Sequence, residues 1–510
     1  MKISLETDKT KWWCVNMATS GFETGKLNIK TFTNGINESV DDTLVKFYET
    51  TRAYNVENSK GTLKPLELPV TIYSSDGELK SVANFYGTDS KYMLLAINGD
   101  IYKYANNSIN SISTNQNNIL DSLCFENQGE RISVIINGNQ ESYMFNGTTY
   151  KRLKNRRPYY NEETGNLECY YDANGKRHDR EDTVTTYAPQ GKFCELHYDR
   201  LWIAGDSENP DRVYFSTADR KGFDIQDFTM PIDEEEANMH GGFVDVPSFD
   251  GGKIIGLKVI FNDLVIFKDK TIFKIFGNNP SNYQIVQLFN TSGAICDKSI
   301  ATGNNGAYFL NNDGIHFYDG TNTNVISQKI EQTISKIDLY KAQEIACSTF
   351  YNGFYYLSVP LKGSNTNNCL IRLDSNTGAF MIYNDLNIKA FNEFDKKLYM
   401  ISDNKLLCNE GSNKYMNMLW ETPFSDLGYK NAKKRSEYIY FIAEGDGTLN
   451  IECITDKKTK EISIPISGET SVYKKKLKNK GRIFKLKFST KDGKYINVTS
   501  PELILEVDVD

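Results

Sequence analysis

Seven times along this chain a short apolar strand runs into an Asn-Gly, Asp-Gly or equivalent turn and returns as a strand rich in Tyr or Phe. The units centre on 93–104, 133–147, 200–216, 264–276, 307–320, 353–374 and 398–407. Asn-Gly and Asp-Gly supply the positive φ that tight hairpin turns need. A lone hairpin cannot bury both of its faces. Repeated hairpins must therefore stack on one another. With one or two flanking strands each unit reaches ~40–50 residues, the size of a propeller blade. The reading is an all-β chain: a β-propeller of about seven blades over residues 65–420, with a long β-sandwich as the structural rival.

Three regions depart from that plan. Residues 1–64 hold apolar anchors, Trp12, Trp13, Phe22, Phe32, Ile36 and Phe47, without the hairpin pattern, and read as an extended N-terminal arm. Residues 155–188 are polar and Tyr-rich and read as an inserted hairpin. From 421 to 510 the strands alternate strictly, as in Leu449-Asn450-Ile451-Glu452-Cys453-Ile454, which predicts a separate antiparallel β-sandwich. Lys474-Lys475-Lys476 is placed at a turn there, and residues 231–242 read as an acidic loop. One stretch has helical spacing: Ile326, Ile330, Ile334 and Ile337 predict a helix over 326–345.

Composition limits the function classes. A chain of 510 residues with 39% hydrophobic and 12% aromatic content exceeds one core. Its net charge of −7 excludes a generally basic nucleic-acid binder. Nine Cys without a CxxC pair read as buried free thiols in a reducing compartment. No apolar run has signal or membrane-span length. The four His (His178, His197, His240 and His316) lack metal spacing, and no nucleophile-elbow or phosphate-loop motif occurs. Gly251-Gly252-Lys253 precedes a strand, so it reads as a turn. Carboxylates are plentiful, which leaves a glycoside-hydrolase pair open. No cofactor and no catalytic residue is expected.

Arg200-Leu201-Trp202-Ile203-Ala204-Gly205, then the Asn209-Pro210-Asp211 turn, then Arg212-Val213-Tyr214-Phe215-Ser216, resembles a pattern of tailed-bacteriophage β-propeller virion proteins. Phe32-Thr33-Asn34-Gly35-Ile36-Asn37, Arg52-Ala53-Tyr54-Asn55 and Gly61-Thr62-Leu63 resemble the opening of tail-hub propellers, with Asn34 where that pattern has a glycine. In order of parts the chain is similar to tail-nozzle and packaged-DNA stabilisation (head–tail connector) proteins. The resemblance implies a structural, non-enzymatic virion component, assembled in the bacterial host cytoplasm. It implies copies in a homo-oligomeric ring beside portal, neck or tail proteins, passing double-stranded DNA without sequence-specific binding and without membrane insertion. Arg200, Leu201, Trp202, Gly205, Pro210, Arg212, Tyr214 and Ser216 are its structural motif. Trp12, Trp13, Phe32 and Ile36 are candidate assembly contacts. Two other readings stay open: a host-surface carbohydrate-binding tail component, and a glycan hydrolase. For Arg200 and Trp202 the choice lies between stacking a sugar and packing inside the blade.

Overall fold

The computed structural model describes residues 16–508 apart from 18–21, 47, 59, 128, 162, 165, 173–174, 180–185, 219–224, 231–239, 248–251 and 290. Trp12, Trp13, Phe47 and most of the 231–242 loop lie outside the described residues.

The first repeat unit is a four-stranded antiparallel meander of Leu79–Tyr86, Lys91–Ile97, Asp100–Ala105 and Ser108–Ser113. Its turn Asn98-Gly99 has positive φ at both positions, +51° and +89°. The same meander recurs at 119–152, 193–245, 254–288 and 301–325. The last sheet, 388–408, takes its outer strand from the other end of the unit, Val70–Ser74, which pairs with Lys405–Cys408 and closes the circle. Hydrophobic clusters lie between successive sheets: Phe85 and Phe145 join the first two, Trp202 and Leu264 the third and fourth, Phe267 and Phe309 the fourth and fifth. Leu95 and Ile401 join the last to the first. The arrangement is an all-β propeller.

Among the described residues it has six free-standing blades rather than about seven. The meander at 347–384 is not a separate sheet: Tyr54 pairs with Ile382, which fuses it into a twelve-stranded sheet. That sheet also replaces the expected sandwich. Its strands Lys434–Thr455 and Thr459–Gly481 run 22 and 23 residues, far beyond the ~3–10 of ordinary strands. Lys434–Thr455 pairs with Ile496–Asp508 along its first part and with Phe484–Ser489 along its last. The C-terminal strands thus share one twelve-stranded sheet with 347–384, and a separate sandwich domain is not shown. The pairing register of Lys434–Thr455 with Thr459–Gly481 shifts between Ala443 and Gly445, and Gly445 has φ +127° with a Cβ there 2.2 Å from the Tyr495 carbonyl oxygen. Gly445→Ala is expected to cost ~1–3 kcal/mol in chemical denaturation, since both the backbone and the space refuse a side chain. An unchanged midpoint would mean that the strands shift to admit the methyl group.

Lys474–Lys476 lie within the strand Thr459–Gly481, not in a turn. The segment 22–65 is folded into the chain's own sheet and core. Phe22–Asn28 pairs along its length with Ile496–Asp508. Phe32 is fully buried, edge-on to Trp420 and Phe488 at 5.3 and 6.3 Å between centroids. Ile36 is buried too, its N–H donating to the Phe380 carbonyl at 3.0 Å. Phe32 and Ile36 thus face inward in the single chain, not outward to a partner. The 155–188 insertion forms a three-stranded sheet, Arg157–Tyr160, Leu167–Tyr171 and Arg177–Asp179. The predicted helix is broken in two, Glu331–Ile334 and Leu339–Ile345. Asp338 caps the second by accepting from the Lys341 N–H at 3.2 Å, and Ile337 bridges to Leu361. Seven of the eight described cysteines are buried, and all eight are free thiols.

Candidate functional site

The hairpin of Arg200–Ala204 and Arg212–Phe215 forms the two central strands of the 193–245 blade. All five residues of its first strand are buried. Alternation sends Leu201 and Ile203 toward the preceding blade and Trp202 and Ala204 toward the following one. The Trp202 indole N–H donates to the His197 carbonyl at 3.1 Å, and its ring lies 5.2 Å from both Phe215 and Tyr283. Arg200 is 2% exposed, and its guanidinium donates to the carbonyls of Ser216 and His240, both at 2.8 Å. Ser216 Oγ accepts the Leu201 N–H at 2.9 Å and donates to the Thr217 carbonyl.

The turn is organised just as locally. Asp206 accepts from the Glu208 N–H, the Asn209 side chain and the Tyr214 hydroxyl, at 3.0, 3.0 and 2.8 Å. Burial raises the Asp206 carboxyl, but these donors outweigh it and hold it below the usual range. Gly205 turns the chain at φ +85° against the Phe193 ring. Pro210 is exposed at the tip. Arg212 forks onto Asp245 at 2.8 and 3.3 Å and covers the Phe243 ring at 3.5 Å. Asp211 receives the buried Lys268 ammonium of the next blade at 2.7 Å. Every residue of the pattern except Pro210 thus binds strand to strand or blade to blade. Arg200 and Trp202 pack inside the blade and present no face for a sugar.

One cavity of about 300 Å³ lies where inner strands from around the propeller meet. Its wall takes Ser81, Asp121, Phe193, Lys258, Asp297 and Ser348 from different units. Asp121 is fixed by the N–H groups of Ser122 and Cys194, at 2.9 and 3.1 Å. Asp121 foremost, with Glu195 and Asp297 behind it, holds the half-buried Lys258 ammonium above its usual pKa against the effect of burial. Burial raises the Glu195 carboxyl, with Lys258 pulling it back. The lining mixes charge: Lys258 and Lys298 stand in the same wall as Asp121 and Asp297. Sequence reading missed it. The signal was Lys258 alone in the apolar run Ile254-Ile255-Gly256-Leu257-Lys258-Val259-Ile260.

The histidines are engaged elsewhere: His178 Nε2 lies 3.0 Å from Asp172, and His316 Nε2 lies 2.6 Å from Asp313. Among the described residues no group of three or more His, Cys, Asp or Glu has metal-site geometry.

No protein-family model matches the chain, and no curated protein matches it. Among solved structures, the BBS1N chain crystallised with ARL6DN is similar at 9% identity and a TM-score of 0.36, covering 68% of this chain and 95% of that one. The Pan2 WD40 domain of Neurospora crassa is similar at 8% identity and 0.35, covering 67% and 91%. An exo-β-1,3-galactanase of Phanerochaete chrysosporium is similar at 9% identity and 0.26, covering 84% and 100%. At these values the likeness carries no argument about what this chain does.

Proposed function

We propose that the chain is a structural component of a phage virion. Its copies stand in a ring at the portal-proximal tail, as hub, neck or nozzle, beside portal or tail proteins. The ring extends the DNA channel and helps retain and release the genome. The observation that carries this reading is the use of the Arg200–Ser216 pattern. Its residues lock blades together and none is held back for a reactant, as a rigid ring member requires.

The axial cavity bears on where DNA would pass. At about 300 Å³ it sits at the small end of small-molecule pockets (~300–1,000 Å³) and cannot admit a duplex. The DNA channel therefore runs between copies, at the centre of the ring, and not through the propeller. No described helix is long and apolar enough to cross a membrane, consistent with an assembly that does not insert by helices. The same cavity favours a second reading, a host-surface carbohydrate-binding component, because its charged wall could hold one sugar unit.

Mass photometry and negative-stain imaging of the full chain separate the two. Closed rings are expected for the first reading. A chain that stays monomeric and binds host glycans would replace it with the second, and release of reducing sugar would make the protein a hydrolase.

A further inference from the structure

The strand Thr459–Gly481 is the one long edge left open among the described residues. It pairs with Lys434–Thr455 on one side and with no described strand on the other. Residues 467–472 and 474–476 are exposed on both faces. Pro465 is tolerated within it because an edge strand needs no outward N–H. The strand carries six Lys against two Glu.

These cations are poorly matched within the chain. Lys478 reaches Glu437 at 3.1 Å, and Lys474 lies over the rings of Tyr438 and Tyr440 at 4.5 and 5.2 Å. Lys475, Lys476 and Lys480 have no carboxylate within ion-pair reach among the described residues. The imbalance extends to the whole C-terminal part. Residues 430–510 hold 17 Lys and Arg against 12 Asp and Glu, whereas residues 1–429 hold 42 against 54.

We propose that this basic edge docks on the acidic propeller body of a second copy of the chain. The inference rests on the ring reading above. A closed ring of identical copies joined head to tail needs two unlike, complementary patches on each copy, and the chain divides its charge in that way. Edge-to-edge pairing of two such strands would set lysines against lysines, which blocks the symmetric alternative. A phosphodiester polymer fits less well. Lys475 points to the opposite face from Lys474 and Lys476, so the cations surround a projecting edge and line no groove. An acidic surface that receives the edge meets both sets, whereas a polymer lying on one face meets half.

The test follows the full chain by mass photometry between about 50 and about 500 mM salt. The parent is expected to assemble at low salt and come apart at high salt. The K474E/K475E/K476E variant should melt like the parent yet need more than about tenfold higher concentration to assemble. The neutral K474Q/K475Q/K476Q variant should fall between them. A glutamate variant that assembles like the parent overturns this inference and leaves the ring standing. A parent that is monomeric at every salt and concentration overturns both. Stoichiometric binding of a short DNA duplex, lost in the glutamate variant whose assembly is unchanged, would make the polymer the occupant and overturn the inference.

Discussion

Trp202→Ala is expected to destabilise the propeller by ~3–5 kcal/mol, the cost of truncating a large, fully buried aromatic. Trp202 is wholly inaccessible and fills the seam between the 193–245 and 254–288 blades, against Phe215 and Tyr283. Truncation empties that seam and leaves the His197 carbonyl without its indole donor. Trp202→Phe keeps most of the volume and loses only the donor, so it should cost nearer ~1–2 kcal/mol. Equilibrium denaturation of the two variants reads this directly. A Trp202→Ala chain that melts like its parent but loses a ligand would make the residue part of a binding site.

The hairpin plan was legible because turn chemistry and alternation are local. Asn98-Gly99 and Asn352-Gly353 are tight turns with positive φ at both positions, as their residues demand. Other hairpins use the same backbone without glycine: Tyr198-Asp199, Phe261-Asn262 and Asp395-Lys396. There a single Asn or Asp is the only turn residue of the pair, a weaker mark than Asn-Gly. Long-range pairing left no local mark at all. The strict alternation after residue 434 correctly marks one buried face, but alternation is blind to what covers that face. Nor does it show which strand pairs at an edge, here the chain's own N-terminal strand Phe22–Asn28 against Ile496–Asp508. The single link of Tyr54 to Ile382, which removes one meander from the set of free-standing blades, was equally invisible.

The candidate site shows the same division. The packing of Arg200 and Trp202 follows from period-two alternation within an apolar strand. The cavity wall does not, because Asp121, Lys258 and Asp297 are far apart in sequence and meet only when the blades close. A lone Lys in an apolar run was the available hint, and it has two outcomes in this fold. Lys258 faces the axial cavity, while Lys268, at the end of its neighbouring strand, is buried against Asp211 and the Val246 carbonyl. Lys268 ends its apolar run at Asp269-Lys270, where sequence would place an exposed turn residue rather than a buried one.

The second large effect is expected at Arg372, where the N-terminal segment is fastened to the 347–384 meander. Arg372 is 3% exposed on the strand Cys369–Asp374. Its guanidinium forks onto the Glu57 carboxylate and the Asn58 side-chain oxygen, the latter at 2.8 Å. The Phe354 and Tyr383 rings lie 4.6 and 5.5 Å from it. Asn58 in turn donates to the Phe32 carbonyl at 2.7 Å, so one fork holds the segment that seats Phe32 against Trp420. Arg372→Ala takes the guanidinium away from Glu57 and Asn58 and empties a space between two rings. Breaking a buried pair in this way costs ~3–5 kcal/mol, and the lower end applies because Glu57 keeps some contact with water. Arg372→Lys retains the charge without the planar fork and should lose roughly half as much. Adding Glu57→Gln to Arg372→Met removes both charges together and should recover part of the loss, which a double-mutant cycle measures. If Arg372→Ala shifts stability by less than ~0.5 kcal/mol, the fork adds nothing beyond a surface pair. The N-terminal segment would then be held by Phe32 and its strand pairing alone.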